Sequence, residues 1–154
     1  MVTLPQPNAN FIWYCSWMSF FSAIFAYSQP ETAHFAIVPA GVLATSLNYW
    51  RNPLLKSWRR YADIAVVLSG LMYQSYYTYT SEHVTFLTRL NYFYLIGLSA
   101  ICFVMSYDFM KKGCVWPATY AHASIHLIAN IANIVLYKSI DNQNHCQYHI
   151  TSMS

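Results

Sequence analysis

His122 and His126 stand four residues apart in the last long apolar stretch of the chain. A helix turns about 3.6 residues per revolution, so this spacing puts both imidazoles on one face. Two neutral imidazoles so placed bind Zn²⁺, and a carboxylate either completes an open three-ligand site or takes a proton from the bound water. Zinc lowers that water's pKa towards about 7, which makes it a nucleophile for an amide or ester carbonyl. Asp63 is the candidate carboxylate, as third ligand or proton acceptor, and Ser46 offers a hydroxyl that can stabilise the oxyanion. The candidate metal ligands are therefore His122, His126 and Asp63, and the candidate catalytic residues Ser46 and Asp63. A second reading uses the same residues. Thr119, His122, His126, Asn130 and Asn133 follow one another at steps of three and four, which also describes an interhelical hydrogen-bond seam. Asp63 can equally pair with Arg59 or Arg60.

The elements that carry these residues are apolar. Of 154 residues, 56% are hydrophobic, 18% aromatic and only 8% charged, against roughly 25% charged in a soluble domain. Five stretches of about 18 residues or more read as membrane-crossing helices: Phe11–Ser28, Ala33–Trp50, Ala62–Thr80, Thr85–Ser106 and Trp116–Tyr137. The expected fold is all-α, a polytopic bundle of five transmembrane helices in residues 1–137, followed by a polar tail at 138–154. No length remains for a separate soluble domain. Ionisable groups are costly in lipid, so the histidine face must turn into the bundle.

Smaller signals fill in this outline. Residues 1–10 contain no Lys or Arg and the stretch after them is rich in Trp and Phe, so the first span is expected to be retained and not cleaved as a signal peptide. Pro39 is expected to kink the second span, and Trp116-Pro117 to open the fifth, where proline suits a first helical turn. The run Tyr76-Tyr77-Thr78-Tyr79-Thr80 resembles an interfacial aromatic belt. Cys15, Cys102, Cys114 and Cys146 fall at different depths and are expected to stay free. His145, Cys146 and His149 form a minor candidate metal group in the tail.

Charge sets the orientation. Arg51, Lys56, Arg59, Arg60, Lys111 and Lys112 lie on the connections that share a side with the N-terminus, whereas Lys138 and Arg89 lie towards the other. The positive-inside rule then puts the N-terminus in the cytoplasm and the C-terminus opposite. The short first spans suit a thin membrane such as that of the endoplasmic reticulum. The basic, aromatic-rich segment Asn48–Tyr61 suits anionic lipid headgroups as partners. No basic surface is left for nucleic acid. At about 1.5 Å per residue, Ser46 lies roughly 6 Å from the basic end of its span, His122 about 8–9 Å and His126 about 15 Å from theirs. These groups can converge in a shallow pocket on the cytoplasmic side.

The pattern resembles the superfamily of alkaline ceramidases and adiponectin-receptor-type membrane hydrolases. In that superfamily a Ser is followed four residues later by His, an Asp lies on the next helix, and H-x-x-x-H lies on the last. The counterparts here are Ser46-Leu-Asn-Tyr-Trp50, Asp63 and His122-Ala-Ser-Ile-His126. The resemblance implies a zinc-dependent lipid amide or ester hydrolase. It departs at Trp50, which stands where the family places a zinc histidine, and in having five spans where the family has seven. An active site would then need Asp63, or more weakly Asn48, as a direct ligand; otherwise the site is dead. The sequence thus carries two functional classes. One is a minimal or degenerate zinc hydrolase; the other is a non-enzymatic membrane subunit docked into a larger assembly, such as an organelle complex or the membrane layer beneath a viral capsid.

Overall fold

The computed structural model describes the backbone of residues 4–151 and the side chains of residues 4–141. The architecture is all-helical. Its elements run α1 (Gln6–Ser16), α2 (Met18–Tyr27), a 3₁₀ turn (Ala33–Ala36), α3 (Ile37–Trp50), α4 (Trp58–Thr80), α5 (Phe86–Lys111) and α6 (Val115–Thr151).

Local chemistry accounts for the boundaries. Ser57 caps α4 by accepting from the Arg60 amide at 3.3 Å, and Thr85 caps α5 by accepting from the Thr88 amide at 3.2 Å. The end of α5 is a Schellman turn: Gly113 takes φ 76°, its N–H donates to Met110 O, and the Cys114 N–H reaches Phe109 O at 2.9 Å. Pro117 lies in the first turn of α6, as its missing N–H favours. The first apolar stretch is not one helix. At Trp17 the ladder tightens to i−3 bonds, Trp17 N to Tyr14 O and Phe20 N to Trp17 O, which separates α1 from α2. The Ser16 hydroxyl turns back onto Ile12 O at 2.9 Å, a contact that bends helices at such positions. Pro39 does not interrupt its helix. It sits in the first turn of α3, where an amide has no intrahelical acceptor to lose, and the irregularity lies ahead of it in the 3₁₀ turn.

α6 is the central element. It packs along α5 and against α1 and α2, while α3 joins α4 to α2 and α1. Apolar clusters close the two ends of this arrangement. At one end Leu4, Ala9 and Ile12 meet Tyr49 and Trp50; at the other Ala26, Phe35 and Tyr92 meet Leu136, Tyr137 and Ile140. Phe35 stacks on Tyr137 at 5.5 Å, and the Tyr137 hydroxyl accepts from Gln74 of α4.

Of the five expected spans, α5 and α6 are single helices long and apolar enough to cross a membrane. α1 and α2 are divided, α3 has 14 residues, and α4 is long but carries Arg59, Arg60, Asp63 and a Tyr-rich end. Only 11% of the most apolar stretch of α5 is buried against the rest of the chain. The α6 backbone continues as helix to Thr151, past the expected start of the tail at Lys138. The side chains of His145, Cys146 and His149 lie outside the described residues. Cys15, Cys102 and Cys114 are free.

α3 and α4 approach closely through glycine. A Cβ at Gly70 would come within 2.5 Å of Val38 Cγ1, and one at Gly41 within 3.2 Å of Val66 Cγ1; small residues allow such approaches between helices. Overpacking costs about 1–3 kcal/mol, whereas alanine gains about 1 kcal/mol over glycine inside a helix. Gly70→Ala is therefore expected to destabilise the protein by a net ~1 kcal/mol in detergent unfolding. Val38→Ala should remove most of that penalty when combined with it. A Gly70→Ala protein as stable as the parent would show the α3–α4 contact to be loose.

Candidate functional site

The polar face of α6 meets α1 and α2, which run parallel to it. Asn8 donates to the Thr119 hydroxyl at 2.9 Å. About two turns on, the Ser16 hydroxyl lies 3.4 Å from His126 Nε2. Asn130 donates to the Ser19 hydroxyl at 3.2 Å and to His126 O at 2.6 Å, and accepts from the Ser22 hydroxyl. Asn8, Ser16, Ser19, Ser22, Thr119, His126, Asn130 and Asn133 are all buried. All but Asn133 form a ladder of hydroxyls, amides and one imidazole between the two apolar ends.

His122 takes a different environment. Its ring meets the indole of Trp50 edge-on at 4.9 Å and lies 5.8 Å from the His126 ring. Trp50 is 4% exposed, and its Nε1 has no hydrogen-bond partner among the described residues. One turn back on the same face of α3, the Ser46 hydroxyl donates to Asp63 Oδ1 at 2.7 Å. Thr45 donates to the same oxygen at 3.0 Å. Asp63 thus takes hydroxyl partners in place of Arg59 or Arg60, and the Arg60 guanidinium turns to Leu55 O.

The four residues singled out from the sequence fall into two pairs linked through Trp50. Ser46 and Asp63 are bonded; His122 and His126 are neighbours on α6; Trp50 shares a face with Ser46 and touches His122. Among the described residues no three of His, Cys, Asp and Glu are grouped to hold a metal ion. The expected ligand set of His122, His126 and Asp63 is therefore not assembled. The donors present suit zinc poorly, because the side chain lying against His122 from α3 is an indole, whose N–H donates and cannot ligate.

Sequence reasoning missed the other half of the ladder. Asn8, Ile12, Ser16, Ser19, Ser22 and Ala26 recur at steps of three and four, a stripe of small and polar residues in an otherwise aromatic segment. That periodicity was a usable signal for the face that meets α6. No family model, curated protein or solved structure matches this chain.

Asn130 carries two bonds across the ladder, to Ser19 and Ser22. Asn133, a turn further along, has none drawn to a neighbouring helix. Interhelical hydrogen bonds in membranes average about 0.6 kcal/mol, with a maximum near 1.7. Asn130→Ala is therefore expected to cost about 1–2 kcal/mol, and Asn133→Ala clearly less, in the same unfolding measurement. Equal losses would show that the ladder does not hold α1–α2 to α6.

Proposed function

We propose that this chain is a multi-pass membrane protein on the plan of the ceramidase-like hydrolases, with the metal centre replaced by packing, and that it serves as a non-enzymatic membrane subunit. Lipid as solvent is supported by α5, an apolar helix whose Ile101, Phe103 and Val104 are largely exposed. Membrane protein interiors are held by small residues and polar bonds, because lipid tails are as apolar as leucine; the hydroxyl ladder and the Gly70 approach have that character. With α1–α2 counted as one broken span and the 3₁₀ turn with α3 as another, the chain crosses five times. The basic connections and the N-terminus are then cytoplasmic, and the membrane is of the endoplasmic reticulum type.

The observation that carries the degenerate reading is Trp50. A hydrolytic centre needs three ligands and an open position for water; here a buried indole lies against His122, Asp63 is taken by the Ser46 and Thr45 hydroxyls, and His126 lies beside Ser16. The Ser46–Asp63 bond is the trace of the hydrolase arrangement, and in this protein it ties α3 to α4.

Metal analysis separates this reading from a working zinc hydrolase. The protein purified in detergent should contain no stoichiometric zinc, and His122→Ala/His126→Ala should leave its metal content unchanged. Trp50→His, which supplies a third imidazole, should raise zinc uptake at least about tenfold, the change that one lost or gained supporting group makes at metal sites. Stoichiometric zinc in the parent protein, lost from the double variant and accompanied by ceramide amide hydrolysis, would establish the hydrolase instead.

A further inference from the structure

A second polar feature lies one residue beyond Trp50. A pocket of about 220 Å³ opens between α1 and the end of α3, lined by Asn10, Trp13, Tyr14 and Arg51. Every one of these side chains presents a hydrogen-bond donor, and no carboxylate is among them. Asn10 accepts from Gln6 Nε2 at 2.8 Å, which occupies its carbonyl and leaves its amide N–H₂ for another acceptor. Trp13 packs edge-on against Tyr14 at 5.2 Å and against Trp17 at 5.9 Å, so the aromatic wall is braced. Arg51 is exposed, and its guanidinium has no ion pair or hydrogen bond among the described residues.

The surrounding charge is positive. Lys56, Arg59, Arg60 and Lys111 lie on the same connections, and Asp108, the acid of that side, is already held by Lys112 at 2.6 Å. Asp63 is turned to Ser46 and Thr45. An anion at Arg51 would therefore meet a cationic field with no local competitor. Guanidinium bonds phosphate oxygens in a fork, with two parallel N–H donors. The volume falls below the roughly 300–1,000 Å³ of sites for drug-sized ligands, so it accommodates a headgroup and not an acyl chain. Trp and Tyr at the rim are the residues that settle at the headgroup level of a bilayer.

We propose that this pocket binds one phosphate group, that of an anionic lipid headgroup, with Arg51 gripping the phosphate and Asn10 and the Trp13 indole N–H donating to its remaining oxygens. The lipid source rests on the membrane reading above; the phosphate chemistry does not. Arg51, placed directly after Trp50, would then anchor the end of α3 to the membrane surface beside the contact with His122.

The full chain, purified in a mild detergent, is titrated with phosphatidylglycerol and with diacylglycerol, which lacks the phosphate, and retained lipid is read by native mass spectrometry. One phosphatidylglycerol per chain is expected, with no retention of diacylglycerol. Arg51→Gln should lower retention at least about tenfold, as loss of a charged hydrogen-bonding partner does. Lys56→Gln, on the same connection but outside the pocket, should not change it. Equal loss in both variants would mean a diffuse basic surface and overturn the proposal, as would undiminished binding in Arg51→Gln or equal retention of diacylglycerol. Competition by millimolar inorganic phosphate identifies the source: displacement assigns the pocket to free phosphate, and persistence assigns it to the lipid. Alkaline extraction of membranes carrying the chain tests the membrane reading by itself. Release into the supernatant would end that reading, while titration with inorganic phosphate would still decide the pocket.

Discussion

The parallel pairing of α1–α2 with α6 is the contact on which the arrangement depends. Asn8 with Thr119, Ser16 with His126, and Ser19 and Ser22 with Asn130 run in order along both partners. Groups of this kind cannot be left facing hydrocarbon, because an unpaired donor or acceptor there costs several kcal/mol. Once paired they hold the observed register, with Asn8 at Thr119, Ser16 at His126 and Ser22 at Asn130. The break at Trp17 belongs to the same interaction. Asn8, Ile12 and Ser16 continue as Ser19, Ser22 and Ala26 at the helical period, so the facing stripe runs on across the break.

Around that pairing the rest of the bundle is placed by shape. The ladder is sealed at one end by Tyr49 and Trp50 and at the other by Phe35, Tyr92 and Tyr137. Trp50 belongs to both systems. It belongs to the apolar plug through Tyr49, and it lies against His122, so its bulk sets how α3 meets α6 at this end. α5 contributes almost nothing inward except along α6, and its apolar surface is the outer wall.

Much of this was written in the residue order. The five apolar stretches anticipate where helix lies, and Pro117 in a first turn follows from local chemistry. The spacing of Thr119, His122, His126, Asn130 and Asn133 marks the buried face of α6, as the ladder shows. The pairing of Ser46 with Asp63 agrees with the convergence expected from span lengths. Other details escaped. The division at Trp17 is not encoded by proline or glycine; it arises from a serine that returns to its own backbone and from the demands of the facing helix. Pro39 looked like a kink because it lay inside an apolar stretch, yet its effect depends on where the helix begins. Asn8, Ser16, Ser19 and Ser22 carried a readable period, but single serines are common in membrane helices and their meaning depends on a partner.

Composition and spacing alone determined that this chain is helical, that its helices are rich in apolar residues, and that the histidines share a face with Asn130. These are properties of period and transfer free energy, which each segment carries by itself. That two of the helices are long and apolar enough to cross a membrane came with the structure. Only the tertiary structure decided what the histidines meet. His126 faces a serine, His122 faces an indole, and Asp63 takes two hydroxyls and no arginine. Those choices are made between segments far apart in sequence, where distance and angle, and not residue type, select the partner.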